Sequence, residues 1–226
     1  MRVGAHIEID RAVFSKDNNG ILKKSKNDQK VGLIVVVDLL SNYCDAEAYT
    51  TGYVEDTAAL TKKILTRMSK KMKLRGGKCF TDSGAEFLGP SGNRSNAFVD
   101  MVTKFGMSYN ALPTKHTAPH VEAKNGDIRR NINSMLAKSK KKRWVDIYRE
   151  VITGLNNSSF TDHRAGLTPA EIVKMSPKEQ KKLGWEHKKK KGTRNAKLKG
   201  ARMKELEPGQ YVRIALKPKI KGAEMG

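Results

Sequence analysis

At 226 residues and 38% hydrophobic content the chain can bury one sizeable core and a small second piece, which excludes wholesale disorder. No run approaches the roughly 18 apolar residues of a membrane span, MRVGAHIEID lacks a signal peptide's apolar centre, and two cysteines in no CxxC spacing exclude a disulfide framework or zinc module, so a soluble intracellular protein with buried thiols is expected. The net charge of +22 is lopsided, with 24 Lys and Arg against 9 Asp and Glu from residue 137 onward, and with no apolar face beside the lysines this points to nucleic acid rather than a membrane.

AHIEIDRAVF alternates closely enough for a strand and breaks at SKDNNG, where a Lys-rich hairpin loop reaches to about Lys30. VGLIVVVDLL is a near-continuous apolar run, as in a strand covered on both faces, and CDAEAY reads as a third strand after the SNY turn. The apolar run ends in Asp38, whose carboxylate must find donors, a metal or water, since burying it unpaired costs on the order of several kcal/mol. From Tyr53 the period turns helical, with Val54, Ala58, Thr61, Leu65 and Met68 on one face, acids in the first turn and lysines toward the end.

KCFTD is predicted as a short strand, SNAFVDMVTKFG as a helix that stops at Gly106, and SYNALP as a last short strand. KHTAPHVEAKNGDIRRNINSMLAK carries a helical stripe of Val121, Ile128, Ile132, Met135 and Leu136, with Glu122, Asn125 and Arg129 on another face. RWVDIYREVITGL supplies a further helix. Thr168-Pro169-Ala170-Glu171 has N-cap, N1 proline and capping-box glutamate in order, and Ser176-Pro177-Lys178-Glu179 repeats the device. His187 to Lys204 holds nine Lys or Arg and no acid, which reads as a linker or arm; LEPGQYVRIAL beyond it offers one turn and one strand.

Three strands, a helix, a strand and helices with late carboxylates follow the order of an RNase H-like α/β fold, a mixed five-stranded sheet flanked by helices. The most specific stretch is TDSGAEF, where a short strand aims the Asp82 carboxylate outward and Gly84 lets the backbone turn sharply beside it. This stretch resembles the TD(N/S)GxEF signature of retroviral-type (DDE) integrases, including those of gypsy-type and copia-type LTR retrotransposons and of Polinton-like elements. VVVDLLSNYCDAEAY is similar to the family's VVVDxFSKY strands, HVEAKNGDIRRNINSML to its VERKN-type helix, LTPAEIV to its TPxEL segment, and LEPGQYVRI to the first strand of its SH3-like C-terminal domain. The resemblance implies a catalytic core over residues 1–175, a Lys-rich helix and linker over 176–204, and the start of a partial SH3-like segment over 205–226.

It also implies an activity: metal-dependent trimming of DNA 3′ ends and their joining to target DNA, by a homo-oligomer, nuclear or virion-associated. Phosphoryl transfer of this kind needs an in-line nucleophile between two cations about 3.5 to 4 Å apart. Hard Mg²⁺ or Mn²⁺ wants carboxylate oxygens and keeps several waters. By position in the family, Asp10, Asp82 and Glu122 would hold two such ions and carry the catalysis. Two rivals stand for the first acid: Glu8, on the same strand face as Asp10, and Asp38, which reads better as a hydrogen-bonding turn residue leading into Ser41-Asn42. Phosphate contacts are expected from Lys124, Arg129 and Arg130 on the helix and from Lys188, Lys189, Lys190, Lys191 and Arg194 in the arm. Pro119-His120 departs from the family pattern, which usually has a glycine shortly before the glutamate. Other classes remain: a catalytically inactive relative that binds DNA or chromatin, and an RNase H-like nuclease.

Overall fold

Strands β1 (His6–Val13), β2 (Gly32–Asp38), β3 (Cys44–Tyr49), β4 (Lys78–Thr81) and β5 (Ser108–Ala111) form a single mixed sheet in the order β3-β2-β1-β4-β5. The computed structural model describes residues 2–14, 24–88, 96–113, 118–138, 143–159 and 166–186. β1, β2 and β3 are an antiparallel meander, and β4 and β5 join parallel to β1. The helices are α1 (Val54–Ser69), α2 (Ala85–Leu88), α3 (Ala97–Lys104), α4 (Pro119–Lys138), α5 (Tyr148–Asn157) and α6 (Pro169–Lys174). This is the RNase H-like arrangement expected from the sequence.

The apolar run of β2 is buried at every position because the sheet is covered on both faces. Leu33, Val35 and Val37 pack on one side with Ile128, Ile132, Trp144 and Val151 of the α4 and α5 layer. Ile34 and Val36 pack on the other with Leu65, Met68, Phe98 and Ile172, from α1, α3 and α6. Each such side chain contributes about 1.5–3 kcal/mol of hydrophobic stabilisation. The strand period of two divides β1 the same way: Ile7 and Ile9 enter the α1 side, while Glu8, Asp10 and Ala12 face α4.

The helix expected from Trp144 begins instead as a 3₁₀ turn over Trp144–Asp146, and α5 starts only at Tyr148. Trp144 is buried edge-on between Phe14 and Tyr148, at 5.0 and 6.2 Å, and that packing sets the turn. At the outer edge of the sheet, the buried amide of Asn156 accepts from Cys44 N at 2.9 Å and donates to Cys44 O at 2.7 Å. Both cysteines are buried, free thiols.

The Thr168 capping box is complete, and Ser176 and Glu179 form its twin. Residues 177–186, expected within the Lys-rich helix and linker, are helical and packed on the core: Gln180 Oε1 accepts from Val3 N at 3.0 Å, and Leu183 is buried. The compact unit accordingly spans residues 1–187. The expected arm, with Lys188, Lys189, Lys190, Lys191 and Arg194, and the expected SH3-like segment lie outside the described residues. Among the described residues no helix is long and apolar enough to cross a membrane.

Candidate metal centre

Helix α4 lies along β1, running in step with it, and three side-chain contacts fix the alignment. Glu8 Oε2 accepts from the backbone N–H groups of His120 and Val121, at 2.9 and 3.0 Å, and Glu8 Oε1 meets His120 Nδ1 at 2.9 Å. Asn125 Nδ2 donates to Asp10 Oδ2 at 2.8 Å, and Arg129 Nη2 donates to the carbonyl of Val13 at 2.6 Å. From 120 to 129 a helix rises about 14 Å, and from 8 to 13 a strand rises about 17 Å, so one side of α4 can read nearly the whole strand.

Pro119 opens α4 at a position where the missing N–H costs nothing. Glu122 then sits in the first turn, exposed, one helical turn before the Asn125 that holds Asp10. Across the sheet, the parallel register of β1 with β4 ends at Glu8 opposite Phe80, so two residues further on Asp10 is level with Asp82, the residue that follows β4. Asp82 Oδ1 accepts from Gly84 N at 3.1 Å, a turn-capping bond that coexists with its place beside Asp10. Around it the strand end is tied down: Thr81 Oγ1 bonds Asp82 O and Tyr109 OH, both at 2.7 Å, and Ser83 Oγ donates to Leu112 O at 2.5 Å.

The acids also act on one another's charge. The Asp10 carboxyl is pushed up to about 6, first by burial, against which the Arg11 backbone N–H works, and then by the negative fields of Asp82, Glu122 and Glu86. Asp82 and Glu122 thus lie near enough to Asp10 to act on its charge, and so does a fourth acid, Glu86 of the TDSGAEF stretch. Among the described residues no three His, Cys, Asp or Glu side chains close around one point. The donor set is nonetheless all hard oxygen, it carries mutual repulsion that a cation would relieve, and Mg²⁺ characteristically takes only one or two carboxylates and keeps its waters. These residues fit such an ion rather than one that needs an all-protein cage.

The two rivals for the first acid have other partners. Glu8 is on the right face but its carboxylate is taken up by the start of α4; burial would raise it, yet the bonds from His120 and Val121 prevail and hold it below the usual carboxylate range. Asp38 pairs with Ile7 and points to the opposite face of the sheet from Asp10. It is fully buried and accepts from Gly4 N at 2.6 Å, Ser41 N at 2.8 Å and Ser41 Oγ at 2.7 Å. It is the turn residue its neighbours suggested, and burial pushes its carboxyl up despite these donors.

The expected phosphate contacts on α4 divide. Lys124 is corrected: at 1% exposure its side chain is packed against the sheet and offers nothing to a DNA surface, because α4 turns its Val121, Lys124, Ile128 stripe inward. Arg129 is half-buried, bound to Val13 and lying 5.7 Å from the Phe14 ring. Arg130 is exposed and pairs with Asp127 at 2.5 Å.

No family model and no curated protein matches the chain. Solved structures do. The catalytic core domain of HTLV-2 integrase, in its trimeric form with magnesium, superposes with a TM-score of 0.56 at 19% identity over 76% of this chain and 98% of that one. A chain of the simian T-cell lymphotropic virus intasome in complex with PP2A regulatory subunit B56 gamma gives 0.59 at 14% identity, over 77% of this chain and 56% of that one. The BIV integrase core gives 0.53 at 12% identity, over 75% and 93%. A mixed sheet with acids gathered beside β1 and β4 under α4 is therefore set in the fold of retroviral integrase catalytic cores.

Proposed function

We propose that the protein is a DNA integrase: a polynucleotidyl transferase that trims DNA 3′ ends with water and joins the exposed 3′ hydroxyls to target DNA. What supports this reading is the placing of three acids: Asp10 on β1, Asp82 just past the end of the adjacent β4, and Glu122 in the first turn of α4, whose Asn125 donates to Asp10 at 2.8 Å. Bound Mg²⁺ or Mn²⁺ would supply activation of the attacking oxygen and stabilisation of the leaving one. Asp10, Asp82 and Glu122 would hold it, Asn125 keeps one Asp10 oxygen oriented, and Glu8 keeps α4, and with it Glu122, at the right height along β1. Arg130 and the basic arm, Lys188 to Lys191 and Arg194, would grip phosphates without reading bases, with affinity falling steeply with salt. Joining two DNA ends calls for a homo-oligomer, as in the trimeric and dimeric forms of the HTLV-2 core.

Strand transfer with a labelled duplex in Mn²⁺ tests this: Asp10→Asn, Asp82→Asn and Glu122→Gln are each expected to reduce joining to background while leaving the fold intact. A Glu122→Gln protein as active as wild type would sink the site. One observation favours a second reading, a DNA-binding relative without chemistry: the acids do not close around a single point among the described residues. Wild type that binds duplex DNA but neither nicks nor joins it with Mn²⁺ would establish that reading instead.

A further inference from the structure

Beside the acids stands an ion pair, Arg11 with the fourth acid Glu86, that the chemistry above does not use. Arg11 follows Asp10 in β1, so the strand period turns its side chain away from α4. Its Nε meets Glu86 Oε1 at 2.9 Å, each side chain being only 18% exposed. Three surfaces are shaped to this pair. The guanidinium lies 5.2 Å from the Tyr49 ring. A Cβ at Gly52 would fall 2.4 Å from Arg11 Nη1. A Cβ at Gly84 would fall 2.5 Å from Glu86 Oε2 and 3.0 Å from Asp82 Oδ1, so the two carboxylates crowd over the same glycine.

The pair therefore links the residue after one acid to the short helix that follows the other. We propose that Arg11 and Glu86 are a positioning pair that sets the spacing of Asp10 and Asp82, and through it the affinity of the acid cluster for a divalent cation. This rests on the metal-site reading of the cluster. Neither residue is a ligand in this account: Arg11 restrains Glu86, and Glu86 holds the turn that carries Asp82.

The Arg11→Met variant separates positioning from charge. Removing a cation beside four acids should, by electrostatics alone, tighten binding of Mn²⁺. Loss of positioning should weaken it, by about tenfold if the pair behaves like other groups that orient metal-binding carboxylates. The measurement is Mn²⁺ titration of the full chain, followed by electron paramagnetic resonance of the free ion, with thermal melts as a folding control. Arg11→Met and Glu86→Gln are expected to weaken binding alike, and the exchanged pair Arg11→Glu with Glu86→Arg to recover most of it. Should Arg11→Met fail to fold, Gly84→Ala serves, since its methyl must displace Glu86 or Asp82. Unchanged or tighter binding in Arg11→Met overturns the proposal, as does weakening confined to Glu86→Gln, which would make Glu86 a ligand. An Asp82→Asn control that binds Mn²⁺ as well as wild type would instead overturn the metal-site reading, and the pair's role with it.

Discussion

Replacing Asp10 by Asn should make the metal-free protein more stable at neutral pH. Its carboxyl titrates at about 6 in the fold against an ordinary 3.8, so the folded state disfavours the charged form. A rise of that size corresponds to about 3 kcal/mol, which solvent access at the site reduces to about 2 kcal/mol. The sign follows from which state holds the proton: the native state keeps it more tightly, so stability is intact below pH 3.8 and is lost as pH rises through about 6. Asparagine is nearly isosteric, its oxygen can still accept from Asn125, and it never ionises. In EDTA at pH 7.5, thermal melts of Asp10→Asn should lie about 4–8 °C above wild type, and at pH 4 the two should nearly coincide. Saturating Mn²⁺ should raise wild type and close the gap. An Asp10→Asn protein no more stable than wild type at pH 7.5 would refute the idea that the cluster is held together against its own charge.

Other perturbations follow from the same contacts. Glu8→Ala strands two N–H groups at the start of α4 and should cost about 2–3 kcal/mol; because the Glu8 carboxyl is held below 4.5, the deficit in chemical denaturation should shrink as pH falls through that lowered value. Asn156→Ala removes both bonds to Cys44 and should lower stability by about 2 kcal/mol, read by urea unfolding, with no effect on Mn²⁺ titration. Truncation after residue 187 removes the nine basic residues of the arm and should flatten the dependence of DNA binding on log salt, measured by fluorescence anisotropy at several salt concentrations.

How far the sequence could be read depended on whether an interaction is local. β2 was legible because continuous Val and Ile have no other stable place, and the Thr168 cap because its three signals lie within four residues. Asp82 stood out through the residues around it. Lys124 did not: side-chain chemistry suggested a surface, but position on the helix decides, and Val121 and Ile128 three before and four after it already mark the buried stripe. Nor could Glu8 be told from Asp10 along the strand, since both face α4. What separates them is which part of α4 lies above each, a fact of tertiary register. Glu86 was in view within TDSGAEF, yet its partner Arg11 lies 75 residues away.

The bonds from Glu8 to His120 and Val121 join positions 112 and 113 residues apart in the chain. Local contacts form early in folding, whereas closing a loop of that length is worthwhile only once the intervening sheet exists to hold the ends together. The acid cluster is accordingly among the last features to assemble, and during synthesis it cannot exist until α4 has left the ribosome. Until then the nascent chain presents Asp10 and Asp82 without Glu122, so the acids come together only on completion of the core.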